Sequence, residues 1–298
     1  MISTSKRGAL LAAGALVINA FIWGVSWWPL RALQARGLHP LWTTALVYFV
    51  VFAGLLVAYR GSLKGLAAHP QLWLLALAAG ITNVGFNWAV TVGDVVRVVL
   101  LFYLMPAWSV LVAWVLLGEK PTATSLLRLV IAMAGVLIVL QAPGAAWPMP
   151  QGLPDWLAIM GGLSFALTNV MLSKLSHTPT GSRMLAMFAG GAVMAAAAAL
   201  VGMSQHIVPA LQLGGMVPLV VIGLSLAFFI SNAALQYGAA RLAASTTALV
   251  MLTEILFASG SAALLGAAAF TPRIWLGGGL IVLAALMAAL SPSADKKH

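Results

Sequence analysis

Runs of about 15 to 23 largely uncharged residues recur along the chain between short polar breaks, and a run of about twenty is enough helix to cross a hydrocarbon core roughly 30 Å thick. The spacing of the polar breaks therefore predicts ten membrane-spanning helices. The predicted spans are Ala9–Leu30, Pro40–Tyr59, Gln71–Gly93, Val95–Leu117, Leu126–Leu140, Trp156–Ser176, Met184–Met203, Pro218–Ala240, Ser245–Gly266 and Ile274–Leu290.

The fourth span carries the strongest internal signals. Its uncharged stretch contains Pro106 near the middle, where proline removes a backbone donor and predicts a kink in the helix. Gly118 and the charged Glu119 and Lys120 then end the helix at the water boundary. The ninth span is a degenerate copy of this stretch, with Glu254 at the place that Pro106 occupies in the first copy.

Composition fixes the class of protein. Hydrophobic residues make up 62% of the chain and charged residues 7%, with a mean hydropathy of +1.05, far more apolar than a soluble core requires. The sequence therefore predicts an all-α integral membrane protein. Its net charge of +10 lies in short loops, which favours a topology signal over a nucleic-acid surface. The chain has no cysteine, which excludes disulfides and thiolate metal sites.

The basic residues divide unequally between the two sides of the predicted membrane. Eleven of the 15 share a side with both termini: Lys6, Arg7, Arg60, Lys64, Lys120, Arg128, Lys174, Arg183, Arg241, Lys296 and Lys297. The other four are Arg31, Arg36, Arg97 and Arg273. The positive-inside rule then predicts a multi-pass protein of the cell (inner, cytoplasmic) membrane with both termini in the cytoplasm.

The two halves of the chain are expected to form an inverted repeat. The segment from Asn87 to Gly93 aligns with the segment from Asn232 to Gly238, with both Asn and both Gly matching at one offset. Each half holds five spans, an odd number, so the second half enters the membrane from the opposite face. We expect one repeat in residues 1–140, an external loop in 141–154 and a second repeat in 155–298, arranged five-plus-five around a central cavity.

Several of these features resemble the EamA family of the drug/metabolite transporter superfamily. They are Trp23-Gly24 in the first span, Pro106 with Gly118-Glu119 twelve residues later, and Ala134-Gly135-Val136-Leu137 in the fifth. The resemblance implies ten helices, a cavity lined by helices 1, 3, 4, 6, 8 and 9, and transport of metabolites by alternating access. The second half departs from the pattern, with Glu254-Ile255 where the family usually has Glu-Pro. The run from Phe102 to Pro106 leaves open an assignment to the amino-acid/metabolite exporter branch.

Two charged residues are the leading candidates for a binding role. Glu254 is the only acid deep within a predicted span, and ionisable groups at that depth are functional candidates. The alternative is a protonated carboxyl that only packs against a neighbouring helix. Arg97, at the outer end of the fourth span, suits a substrate carboxylate, but it can also snorkel outward or pair with Asp94.

Amides and aromatic residues complete the predicted site. The amides suit a polar metabolite, although hydrogen bonding between helices is an alternative for each, and the aromatic residues can equally be plain core. The candidate substrate-binding residues are Trp23, Trp27, Asn83, Asn87, Arg97, Tyr103, Met105, Phe165, Asn169, Asn232 and Glu254, with Pro106 as the helix kink.

The sequence lacks the motifs of an intramembrane enzyme or an ATPase, because it has no HExxH, GxSxG or Walker sequence. The expected function is a secondary-active exporter of small metabolites such as amino acids. Its expected partners are a small-molecule substrate and the lipid bilayer, without nucleic acid, metal or cofactor, in a monomer or homodimer. A membrane scaffold or an intramembrane enzyme without transport activity remains the alternative.

Overall fold

The computed structural model describes residues 4–59, 61–92, 98, 101–140, 150, 152–265 and 272–289. Every regular element within these residues is an α-helix, which confirms the predicted all-helical class. The helices are α1 (Thr4–Gln34), α2 (Pro40–Ala58), α3 (Ser62–Ala68), α4 (Gln71–Val92), α5 (Met105–Leu117), α6 (Ala123–Leu140), α7 (Leu153–Lys174), α8 (Thr180–Ser204), α9 (Val217–Ala239), α10 (Ala244–Met251), α11 (Glu254–Leu264) and α12 (Pro272–Ala289).

The helices present apolar side chains outward as well as inward. Val115 is 79% exposed and Leu264 is 83% exposed, which water would disfavour and lipid tails would not. By length and composition, six helices among the described residues could cross a membrane, namely α1, α2, α4, α7, α8 and α9. Shorter apolar helices occur within 105–117, 123–138, 246–258 and 275–287. These features are those of an integral membrane protein.

Helix starts and ends follow from local sequence. Five helices have proline in the first turn, where an N–H group would have no partner within the helix: Pro40, Pro106, Pro154, Pro218 and Pro272. Gly118 ends α5 in the left-handed conformation, with φ of 70°, as glycine permits. Thr122 and Ser125 then exchange side-chain to backbone hydrogen bonds of 3.0 and 3.1 Å at the start of α6.

The fourth and ninth predicted spans are both interrupted near their middles. Tyr103 and Leu104 form a turn before α5, and Leu252 and Thr253 form a turn between α10 and α11. The predicted kink at Pro106 is therefore a break, and Pro106 lies in the first turn of the new helix instead of the middle of an old one. The second break has no proline, so two different local sequences end a helix near the middle of a predicted span.

Close packing between helices depends on small residues. Helix α4 packs against α7 and α8, α2 against α8, α1 against α9 and α11, α5 against α7, and α6 against α12. At the crossing of α4 and α8, a Cβ on Gly190 would overlap the backbone of Ala76. Small residues of this kind let two backbones meet where lipid supplies no hydrophobic drive for association.

Candidate functional site

A cavity lies among α1, α2, α4, α7, α8 and α9, next to both interrupted segments. Its water-accessible volume is about 60 Å³. That volume has room for a few water molecules or one small chemical group. It is well below the roughly 300 Å³ or more of ordinary small-molecule pockets. In this conformation the cavity is therefore smaller than an ordinary small-molecule pocket.

Two groups of aromatic rings contribute to the cavity wall. In the first group Trp23 of α1 stacks on Phe228 of α9 with ring centroids 4.4 Å apart, and Tyr48 of α2 meets the edge of Phe228. The second group is Phe86, Phe102 and Phe165, with Phe102 4.7 Å from Phe86 and 5.9 Å from Phe165. Each group joins helices from different parts of the chain, so the wall is assembled only by tertiary packing.

Glu254 borders the cavity at the first position of α11. The phenol of Tyr103, which is 4% exposed, makes a hydrogen-bond contact with its carboxyl group. The two residues come from the two helix breaks, so the breaks meet at one point beside the cavity. Burying a carboxylate is costly without a partner, and the Tyr103 hydroxyl offsets part of that cost.

Glycines on α1 and α7 allow the broken segments to approach. A Cβ on Gly24 of α1 would lie 2.8 Å from the backbone oxygen of Glu254. A Cβ on Gly162 of α7 would lie 2.5 Å from the backbone oxygen of Phe102. Both distances are too short for a side chain, so each break sits directly against the backbone of a helix from the other half of the chain.

Three amide side chains border the cavity, and their hydrogen bonds fix their orientation. Asn83 donates to the carbonyl of Ala79 (2.7 Å) and accepts from Tyr48 (2.8 Å). Asn19 donates to the carbonyl and hydroxyl oxygens of Ser231 (2.9 and 2.6 Å). Because a carbonyl can only accept, the Oδ1 atom of Asn19 is assigned as the acceptor, and it has no hydrogen-bond partner among the described residues.

The third amide belongs to a chain of polar contacts that leaves the cavity. Asn232 accepts from Gln236 at 2.8 Å, one turn further along α9. Gln236 in turn accepts from the guanidinium of Arg183 at 3.1 Å. Arg183 is only 4% exposed and also donates to the carbonyl of Leu175 at 2.7 Å. The chain therefore connects the cavity to the connection between α7 and α8.

The predicted site residues separate into three groups. Those that border the cavity are Trp23, Asn83, Phe165, Asn232 and Glu254. Those that lie elsewhere are Trp27, Asn87, Tyr103, Met105 and Asn169. Arg97 lies outside the described residues.

The residues that do not border the cavity have other contacts. Trp27 donates to Ser261 at 2.9 Å, and Asn87 donates to Thr44. Tyr103 reaches the site through Glu254. Asn169 is fully buried, and its amide nitrogen lies 4.0 Å from the sulfur of Met105. These residues pack helices together around the cavity.

The sequence prediction missed several residues that border the cavity, and missed two helices. Tyr48 of α2 and Met187 of α8 contribute to the wall, although the resemblance had suggested neither helix. A tyrosine in the middle of an otherwise apolar span was a usable signal, because a buried phenol needs a partner. The other missed residues include Asn19, Phe86, Phe102, Phe228 and Ser231.

Comparisons with known proteins agree with this architecture. Residues 8–141 match the EamA-like transporter family. The chain is 26% identical over 164 residues to Protein RarD of Streptomyces exfoliatus, a match that covers 52% of this chain and 49% of the relative, so it spans about half of the relative's length. A protein of known crystal structure superposes with a TM-score of 0.76 at 17% identity, over 96% of this chain and 99% of the other. That likeness shows the fold alone.

Proposed function

Because the chain belongs to the EamA-like transporter family, we propose that it is a secondary-active transporter that exports small metabolites such as amino acids. The observation that carries the proposal is the cavity between helices, with Glu254, the one carboxyl group among the described residues of its wall, at a break in a membrane helix. Interrupted helices with polar groups at the break are a recurrent way of building substrate and ion sites in secondary transporters.

Reciprocal packing supports ten spans in two inverted repeats, residues 1–140 and 155–298, joined by an external segment 141–154. Helix α4 packs against α7 as its counterpart α9 packs against α1, and α5 packs against α7 as α11 packs against α1. The pairs α2 with α8 and α6 with α12 each join a helix to its own counterpart. A two-fold axis relating the halves produces this pattern. In this account each broken helix counts as one span.

Two polar contacts supply a basis for alternating access. Asn87 lies one turn beyond Asn83 on α4 and donates to Thr44 of α2. Gln236 lies one turn beyond Asn232 on α9 and accepts from Arg183 of α8. In an inverted repeat α4 and α9 run in opposite directions, so the two contacts lie on opposite sides of the cavity. Opening one while the other stays closed would expose the contracted cavity to one side at a time.

Glu254 is proposed to couple transport to a gradient. A carboxylate at this depth is costly unless a positive charge neutralises it. A proton or the ammonium group of a substrate can each do so, and loading one displaces the other. Exchange of this kind needs no ATP and leaves the charge of the site unchanged. The unequal charge distribution favours a cytoplasmic membrane location with both termini inside.

A ligand screen followed by a flux assay tests the proposal. Purified protein is heated in the presence of amines, amino acids and organic acids, because a ligand that binds the native state raises its stability, by about 2.7 kcal/mol at a hundred times Kd. The best ligands are then loaded into proteoliposomes under a pH gradient. We expect gradient-dependent flux of at least one ligand. Protein that is folded but moves none of its ligands would contradict a transporter and favour a scaffold.

A further inference from the structure

Among the described residues of the cavity wall, the only ionisable side chain that carries charge near neutral pH is acidic. Glu254 is the only carboxyl among the described residues that border the cavity, and none of those residues is Lys, Arg or His. Among these described residues a substrate carboxylate would find no cationic partner, and leaving water without one is costly. A substrate ammonium would meet an acidic group instead. The wall thus favours a positive ligand over a zwitterion or an anion.

A second acceptor belongs to a residue that borders the cavity. Asn19 is 1% exposed and borders the cavity, and its Oδ1 has no hydrogen-bond partner among the described residues. Its amide nitrogen is already committed to both oxygens of Ser231. A buried acceptor without a donor costs about 1–3 kcal/mol. A ligand that supplies several N–H donors, as an ammonium group does, would remove that cost.

The aromatic rings are a third feature of the wall that favours a positively charged ligand. Trp23 and Phe228 form one stacked pair, and Phe102 brings Phe86 and Phe165 together in the other group. Ring faces carry a negative quadrupole and attract cations, with Trp the strongest, by about 0.5–2 kcal/mol each. The same rings also suit a flat apolar body. Neither property stabilises a bound carboxylate.

We propose that the substrates are organic monocations, that is, amines with an aromatic or apolar body and no carboxylate. The ammonium group binds at the Glu254 carboxylate, and the body lies among the aromatic rings of the wall when the cavity opens beyond its volume of about 60 Å³ in this structure. This inference rests on the transport function proposed above and, among small metabolites, replaces the amino acids named there with amines, which differ from amino acids by lacking the carboxylate. It also makes Glu254 the residue that selects substrates by their charge.

Three probes that share one ring separate the classes by charge: 2-phenylethylamine is a cation, phenylalanine a zwitterion and phenylacetate an anion. Binding to the purified wild-type protein at pH 7 is measured by calorimetry, so the comparison does not depend on any variant folding. We expect 2-phenylethylamine to bind about ten-fold or more tightly than phenylalanine, and phenylacetate to bind weakest.

Variants then test the residues. Glu254→Gln is expected to weaken binding of 2-phenylethylamine by about ten-fold or more, whereas Glu119→Gln, beyond the end of α5, should leave it unchanged. Phe228→Leu keeps an apolar side chain without a ring and should weaken the amine by about three-fold or more. If Glu254→Gln does not fold, the Phe228 variant and the three wild-type affinities still decide.

Each contrary outcome points to a different error. Phenylalanine binding as tightly as 2-phenylethylamine, or binding of none of the three probes, would overturn the cation assignment and leave the transport function standing. Loss of phenylalanine binding in Arg97→Gln would then identify the missing cation. Conversely, tight binding of 2-phenylethylamine without flux in proteoliposomes would contradict transport and leave the cation site standing.

Discussion

The phenol of Tyr103 and the carboxyl group of Glu254 are in hydrogen-bond contact, although 151 residues separate them along the chain. Tyr103 belongs to the turn before α5 and Glu254 follows the turn before α11. The contact therefore joins the two broken helices at the edge of the cavity. Any movement of one break relative to the other must change the surroundings of the only carboxyl group in the described wall.

Removing this contact should impair transport more than folding. Tyr103→Phe keeps the ring and its packing while it deletes the hydroxyl that offsets the charge on Glu254. Hydrogen bonds to charged groups contribute about 1.5–3 kcal/mol, so we expect flux at limiting substrate to fall by about ten-fold or more. Tyr237→Phe, on the partly exposed face of α9, is the matched control and should transport normally. Equal flux in both variants would remove Tyr103 from the mechanism.

The crossing of α4 and α8 should tolerate no side chain at Gly190. A methyl group there would overlap the backbone of Ala76, which cannot rotate away as a side chain could. We expect Gly190→Ala to lose about 1–3 kcal/mol or to fail to fold. Gly54→Ala is the control, because nothing lies within 4 Å of its Cβ position, and it should be neutral or stabilised by about 0.5–1 kcal/mol. Thermal unfolding in detergent compares the two, and equal midpoints would contradict the packing.

Arg183 should be irreplaceable by lysine. Its guanidinium donates in three directions, to Gln236, to the Leu175 carbonyl and to Thr180. An ammonium group keeps the charge but lacks the planar fork, so Arg183→Lys should cost about 2 kcal/mol or more. Arg241→Lys, at an exposed position, serves as the control. An Arg183→Lys midpoint no lower than that of Arg241→Lys would show that a positive charge alone is sufficient at position 183.

The sequence predicted the helical class because a lipid environment requires long apolar helices, which composition shows directly. The break in the fourth span was signalled only in part. Proline at position 106 marks the place, but the same residue fits a kink and a helix start, and only tertiary contacts decide between them. The turn at Leu252 and Thr253 carries no proline or glycine at all. Leu252 is fully buried in a cluster with Phe102, Tyr103 and apolar residues of α6 and α12, which a local pattern cannot show.

The candidate site was harder to predict because residue type does not give the direction of a helix face. Asn83 and Asn87 lie one turn apart on α4, yet Asn83 borders the cavity and Asn87 binds Thr44. Phe165 and Asn169 on α7 differ in the same way. Small rotations of a helix decide such cases, and these depend on close contacts such as that of Gly162 with Phe102. Binding by any of these residues stays a prediction.

Membrane topology can be measured directly because the chain contains no cysteine. Ala67→Cys lies at an exposed position of α3, and Gly214→Cys lies in an exposed connection between α8 and α9. The charge distribution predicts that an impermeant thiol reagent labels position 214 in intact cells and labels position 67 only after lysis. The reverse pattern would invert the topology, and labelling of both positions in intact cells would contradict the assignment of spans.

Gradient-driven flux in proteoliposomes that contain Glu254→Gln tests most directly whether Glu254 couples transport to a gradient. Glutamine keeps the shape and hydrogen-bonding capacity of the side chain and removes its charge, so the protein should fold and reconstitute in wild-type amounts. If Glu254 couples transport to the gradient, we expect the variant to accumulate about ten-fold less substrate, or lower still, than the wild type under a pH gradient. We also expect its flux to lose its dependence on pH. Wild-type flux with an unchanged pH dependence would contradict it, because Glu254 would then serve packing alone.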